Sequence, residues 1–207
     1  SGIDEVVLWD HALYWLGYYP DKFKTGPDST LNLDNPKLWE WIQNDYRKML
    51  DLAPEADGMV LTFIETGAHV EDQYSEIYST EEEKLALLVN KLSEVIIEER
   101  NLKLYIRTFS YYPSEVDDLM KCLDMIKNKN ITVMSKSAPH DFFITDFITY
   151  WVQDISYPVI IECDAGQEYN GQGLVASIFP ETLVERMKYY RSLPNVIGFT
   201  ARMDRYK

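Results

Sequence analysis

Cysteine and histidine, the residues that most often build disulfide frameworks and transition-metal sites, are scarce in this sequence. Only two cysteines, Cys122 and Cys163, occur among 207 residues, and we expect both to be free thiols. The three histidines, His11, His69 and His140, have no second His or Cys at the spacing of zinc ligands. We therefore predict no metal site.

Basic charge and long apolar runs are also in short supply. The 20 Lys and Arg residues are outnumbered by 34 Asp and Glu residues, so the formal net charge is −14. Nucleic acids and anionic membranes are bound through basic faces, so we expect neither as a partner. No apolar run approaches the roughly 20 residues of a membrane-spanning helix, and no signal-peptide pattern is present. The chain begins Ser1-Gly2-Ile3 without a methionine, as an expression scar or an internal start would, so the missing targeting signal leaves the compartment open. The oligomeric state also stays open.

Short apolar runs alternate with amphipathic helical patterns along the chain. The strands are predicted at residues 5–9, 59–64, 102–106, 131–134, 158–161 and 196–200, and a short helix or lid segment at 148–153. Strands of this kind, separated by helices, predict a parallel sheet. No strand is followed by a dinucleotide fingerprint or a P-loop, which disfavours a doubly wound fold and predicts no cofactor.

The predicted fold is therefore α/β, and specifically a (β/α)8 TIM-type barrel in complete or incomplete form. A full barrel has eight units and typically about 250 residues, whereas about six β/α units are present here. Residues 1–207 would be a single barrel domain or its larger C-terminal part.

Acidic residues follow three of the predicted strands. Glu65 follows the strand at 59–64, while Asp141 and Glu168 lie in the polar stretches after the strands at 131–134 and 158–161. Glycoside hydrolysis needs one carboxylic acid to protonate the leaving oxygen and one carboxylate to attack or to activate water. Barrels place such groups at the C-terminal ends of their strands. The three residues predict a hydrolase site, although an acidic chain can also carry them without a catalytic role.

Two motifs resemble a known family of glycosidases. The chain contains Lys136-x-x-Pro139-x-Asp141-Phe142 and Gln167-Glu168-Tyr169-x-Gly171-Gln172. These stretches resemble the paired signatures of the α-glucuronidases of glycoside hydrolase family 67. In the same order, residues 25–41, 57–65 and 105–109 resemble the family's segment before a tryptophan-containing helix, its general-acid strand and its arginine-bearing strand. The resemblance covers most of the chain from about residue 25 to residue 172.

The resemblance implies the catalytic barrel of an inverting glycosidase, with the first two β/α units and any flanking domains outside this chain. It implies that Glu65 is the general acid and that Asp141 and Glu168 together position and deprotonate water. Arg107 and Lys136 would grip the carboxylate of the sugar. The family has a Ser-Glu-Gly context where this chain has Ile64-Glu65-Thr66-Gly67. A relative with the same chemistry on another uronoside, or a sister family, is therefore expected in preference to a true α-glucuronidase.

Several further side chains near the strand ends are candidates. We predict substrate contacts from His140, Tyr111, Tyr169 and Arg202. Glu162 and Asp164 could support the site through hydrogen bonds or replace Glu168 as the base. Arg107 and Lys136 could equally neutralise the three carboxylates without a ligand. The aromatic cluster after the first strand could stack on sugar or belong to the core; its members are Trp9, Tyr14, Trp15, Tyr18 and Tyr19.

The sequence thus predicts a glycoside hydrolase that acts on a uronic-acid-like or other acidic sugar glycoside, with inversion. The main alternative is a non-catalytic, carbohydrate-binding barrel fragment. A third interpretation is a barrel lyase that uses Lys136 as a Schiff-base nucleophile.

Overall fold

The computed structural model describes residues 2–108, 113–142, 148–171, 174 and 179–203. Six strands form one parallel sheet whose order follows the chain, β1-β2-β3-β4-β5-β6. Their bounds are β1 Val7–His11, β2 Gly58–Thr62, β3 Lys103–Arg107, β4 Ile131–Lys136, β5 Val159–Asp164 and β6 Val196–Arg202. The predicted α/β class and the parallel sheet are confirmed.

Four α-helices connect the strands in the described part of the chain. They are α1 Pro36–Leu52, α2 Glu81–Ser93, α3 Pro113–Met125 and α4 Pro180–Arg191. The predicted short helix at 148–153 corresponds to a 3-10 helix at Tyr150–Asp154. Among the described residues no helix combines the length and the apolar character needed to cross a membrane.

The helix starts follow from local sequence chemistry. Asn35 caps α1 by accepting a hydrogen bond from the Lys37 amide at 3.0 Å, and Pro36 occupies the first helical position, where no amide hydrogen is needed. Thr80 and Glu83 form a reciprocal capping box at the start of α2. These polar groups explain why the two helices begin at Pro36 and Glu81.

The strand ends extend beyond the predicted apolar runs. The sequence predicts strands that stop at 134, 161 and 200, whereas β4, β5 and β6 continue to Lys136, Asp164 and Arg202. The continuation was not visible because charged residues normally signal a loop. Here Lys136 and Arg202 remain within the strands and pair with Asp141 and Glu168. Asp164 accepts a hydrogen bond from the Glu168 amide.

The chain divides into two compact units. The first unit contains residues 1–105 and 116–131, and the second contains residues 106–115 and 132–207. In the first unit, Met59 and Leu61 of β2 are fully buried, as are Leu88 and Leu92 of α2. In the second unit, the centres of β4 and β5 are buried, and the Tyr190 side chain of α4 is completely enclosed.

Candidate active site

Charged residues end four neighbouring strands in the second unit. Arg107, Lys136, Asp164 and Arg202 are the last residues of β3, β4, β5 and β6. The strand register places Lys136 beside Glu162, and Asp164 beside Arg202. Because the C-terminal ends of parallel strands share one edge of a sheet, these side chains lie together, where α/β enzymes carry their sites.

Arg107 and Glu162 form a buried ion pair beneath this edge. The guanidinium Nε and Nη2 donate to the two Glu162 oxygens at 2.7 and 2.9 Å, across the intervening strand β4. The side chains are only 3% and 1% exposed. This bidentate geometry is the strong form of an arginine–carboxylate contact. The sequence allows Arg107 either to bind a sugar carboxylate or to neutralise a catalytic carboxylate. The ion pair favours neutralisation, although its partner is Glu162 rather than one of the three predicted catalytic residues.

Lys136, Asp141 and Tyr169 form a second group. The Lys136 ammonium donates to Asp141 Oδ1 at 2.9 Å, and the Tyr169 hydroxyl donates to Asp141 Oδ2. Burial opposes ionisation of Asp141, but the hydrogen bonds from Tyr169 and Lys136 outweigh it, so the pKa of Asp141 is lowered. Burial also lowers the pKa of Lys136, against the opposing effect of Asp141.

The Phe142 ring joins two of the cations. Lys136 Nζ lies 4.1 Å from the ring centroid, and the Arg202 guanidinium carbon lies 5.6 Å from it. An aromatic face attracts cations at these distances, so the ring helps to keep both charges near Asp141. The sequence motif contains Phe142 but does not predict that its ring contacts the two cations. Its position next to Asp141 is the one sign that it lies near the site.

Glu168 is held by a neighbouring strand and its own loop. Arg202 Nη2 and Nη1 lie 2.9 and 3.3 Å from its carboxylate oxygens. Its amide donates to Asp164 Oδ2 at 2.9 Å, so Asp164 supports the loop, one of the two roles open to it. Burial raises the pKa of Glu168, with help from the charges of Asp141 and Asp164, although Arg202 opposes the shift.

The backbone at the end of β4 is fixed by several hydrogen bonds. Thr149 Oγ1 donates to the Lys136 carbonyl at 2.8 Å, and the Tyr190 hydroxyl donates to the Ser137 carbonyl at 2.9 Å. The Ser137 amide donates to the Glu162 carbonyl at 2.8 Å. Three hydrogen bonds therefore hold the end of β4 that carries Lys136. A pre-organised site needs its backbone fixed in this way.

The remaining predicted residues are Glu65, His140 and Tyr111. Glu65 belongs to the first unit, three residues after the end of β2, and its side chain is exposed. His140 is half-buried in the loop directly before Asp141. Tyr111 lies outside the described residues.

We call the residues that the structure brings together the charged cluster. They are Arg107, Lys136, Asp141, Phe142, Glu162, Asp164, Glu168, Tyr169 and Arg202. Within the described ranges, no three His, Cys, Asp or Glu side chains are arranged to hold a metal ion.

The chain was compared with protein-family models and with curated proteins. It matches none of them. The geometry of the charged cluster therefore carries the argument about function.

Proposed function

We propose that this chain is a glycoside hydrolase that acts on an acidic sugar, with the charged cluster as its catalytic centre. The observation that carries the proposal is the placement of two carboxyl groups in one cluster, Asp141 beside Lys136 and Tyr169 and Glu168 beside Arg202. The pKa of Asp141 is lowered while that of Glu168 is raised, and the charge of Asp141 contributes to the second shift. Environments that separate the pKa values of two carboxyl groups are typical of acid–base catalysis.

The two shifts assign different roles to the two groups. A carboxylate with a raised pKa is the better proton acceptor, so we assign the deprotonation of water to Glu168. Asp141 stays ionised, positions the water and stabilises positive charge that develops at the anomeric carbon. The resemblance assigns the proton donation to Glu65, and that assignment stays a prediction because Glu65 belongs to the first unit. The reaction then proceeds with inversion, as the family resemblance implies.

An acidic substrate suits the accessible cation of the cluster. The Arg202 side chain is 27% exposed, whereas Arg107 and Lys136 are 3% and 2% exposed. The two buried cations would bind a sugar carboxylate only by giving up their partners. Arg202 pairs with Glu168 and is the most exposed of the three cations. We therefore propose Arg202 as the main contact for the sugar carboxylate.

The sheet order supports the barrel part of the proposal. A doubly wound sheet reverses its strand order at a switch point, whereas these six strands follow the chain without reversal. Right-handed crossovers then place the connecting helices on one face, as in a (β/α)8 barrel. We propose that the six strands and their connecting helices belong to such a barrel.

Kinetics with a uronic-acid glycoside test the catalytic roles. Asp141→Asn and Glu168→Gln should each lower kcat/KM by about 10²–10⁴-fold, the usual contribution of a general acid or base. Glu185→Gln, which removes an exposed carboxylate paired with Lys188 on α4, is the matched control and should keep full activity. Full activity in Glu168→Gln would overturn the assignment of the base. Binding of the glycoside without turnover would instead support the non-catalytic carbohydrate-binding alternative.

A further inference from the structure

The first unit contains a pocket that is separate from the charged cluster. Its volume is about 470 Å³, within the range of about 300–1,000 Å³ that small-molecule sites occupy. Apolar side chains of both α1 and α2 contribute to it, including Ile42, Leu88 and Leu92. Residues after β1 contribute an aromatic wall, which includes Tyr14 and Tyr18. The sequence left open whether this wall faces a ligand or the core.

Two aromatic residues of the wall are accessible. The Tyr14 residue is 62% exposed and Tyr18 is 48% exposed, whereas Tyr19 is only 6% exposed. Tyr19 therefore belongs to the core, and Tyr14 and Tyr18 offer ring surface to a ligand. A flat apolar ring surface beside hydrogen-bonding groups is the combination that a sugar ring requires, because a sugar has C–H faces and a hydroxyl edge.

Two tyrosines and two aspartates of the lining offer hydrogen-bond acceptors to a ligand. Tyr18 Oη donates to Asp45 Oδ2 and Tyr46 Oη donates to Asp10 Oδ2, both at 2.5 Å. Because each phenol donates its only proton to a carboxylate, its oxygen can only accept a hydrogen bond from a ligand, as the carboxylate oxygens do. A sugar hydroxyl can therefore donate to the Asp10 and Asp45 carboxylates of the lining.

The charges and ring spacing disfavour ionic ligands. The ring centroids of Tyr18, Tyr19 and Trp41 are 5.5–5.6 Å apart and meet edge to face. An aromatic cage needs rings on opposite sides of a cation, each within about 6 Å of it, and these rings are too close together to enclose one. Lys48 in the lining also repels a cation, and the two carboxylates repel an anion.

We propose that this pocket binds a neutral sugar unit. The sugar ring packs on Tyr14 and Tyr18, and its hydroxyls donate to Asp10 and Asp45. The proposal goes beyond the hydrolase proposal and does not rest on it, because every residue involved lies in the first unit. A neutral sugar would be a different ligand from the acidic sugar assigned to the charged cluster.

Titration calorimetry of the whole chain with neutral xylose and glucose trisaccharides tests the proposal. We expect saturable binding that Tyr14→Ala weakens by about tenfold or more, because the exposed ring supplies stacking area. The matched control is Trp15→Ala. Trp15 is the next residue, is 60% exposed and lies outside the described lining, so this variant should bind as the unaltered chain does.

Three outcomes would overturn the proposal. They are the absence of binding, equal binding by the Tyr14→Ala and Trp15→Ala variants, and displacement of the sugar by tetramethylammonium at low concentration. Hydrolysis of a small uronic-acid glycoside, measured in parallel, should be unchanged by Tyr14→Ala. The two proposals can therefore fail independently, because one is tested by binding of a neutral sugar and the other by turnover of an acidic one.

Discussion

Two arginine–carboxylate pairs in this protein have the same bonding pattern and opposite burial. Arg107 and Glu162 are joined by hydrogen bonds of 2.7 and 2.9 Å and are almost fully buried. Arg47 and Glu99 are joined by hydrogen bonds of 2.7 and 2.6 Å from the same nitrogen atoms, with side chains 30% and 42% exposed. Because the geometry is matched, a comparison of the pairs isolates the effect of burial.

Removing the carboxylate charge from each pair should have very different effects on stability. Glu162→Gln removes the buried negative charge that pairs with Arg107, so it should reduce the free energy of unfolding by about 3–5 kcal/mol. Glu99→Gln should cost about 0–1 kcal/mol, because water solvates the exposed Arg47. Urea unfolding curves measure both changes. Equal losses in the two variants would contradict the role assigned to burial.

The pH dependence of activity provides a second test at the scale of residues. If Glu168 must be ionised to accept a proton, kcat/KM should rise with pH through its raised pKa, above the ordinary value of 4.5. The charge of Arg202 lowers the pKa of Glu168. Arg202→Gln should therefore move the acid limb of the profile to higher pH. A limb that stays in place, or that moves to lower pH, would argue against Glu168 as the titrating base.

The sequence identifies the charged residues of the site but does not predict which of them form pairs. Glu65, Asp141 and Glu168 were visible because each follows an apolar run. The partnership of Arg107 with Glu162 was not visible, because 55 residues separate them and only the strand register brings them together. Lys136 and Asp141 are five residues apart, and one loop turns them toward each other.

At the scale of elements, all six strands were predicted, and the C-terminal ends of several were placed too early. Apolar runs identify the buried middle of a strand, and these middles are buried in β2, β4 and β5. A charged residue inside a strand looks like the start of a loop until its partner is known. The residues of greatest functional interest were therefore the ones whose local structure was hardest to predict.

Two strand glycines differ in the space around them, and this difference predicts their tolerance to substitution. A Cβ atom on Gly58 of β2 would lie 2.9 Å from the Lys103 carbonyl oxygen, a backbone atom that cannot easily move. Gly58→Ala should therefore destabilise the protein by about 1–3 kcal/mol. Thermal or urea unfolding measures the loss.

Gly198 of β6 is the matched control for this change. Its Cβ atom would lie 3.6 Å from the Ile160 side chain, an ordinary contact. Gly198→Ala should be neutral or stabilising by up to about 1 kcal/mol, because alanine loses less backbone entropy on folding. A similar destabilisation in both variants would show that the close approach of the β2 and β3 backbones is not the deciding factor.

At the scale of the whole molecule, the protein is strongly acidic, yet it concentrates three cations in one cluster. The net charge is −14, while Arg107, Lys136 and Arg202 are the last residues of β3, β4 and β6 in the same sheet. Local charge pairs, rather than the overall charge, therefore set the potential that a substrate meets at short range. The composition predicts no nucleic-acid partner, and it could not reveal this local concentration of cations.

The most direct test of the central claim is the hydrolysis of matched sugars followed by proton NMR. An α-linked glucuronide and the corresponding neutral α-glucoside should be incubated with the chain, and the anomeric signals of the released sugar recorded before mutarotation. The account predicts cleavage of the glucuronide alone, with the β-anomer of the acidic sugar appearing first, as inversion requires. Preferential cleavage of the neutral glucoside, or first release of the α-anomer, would contradict it.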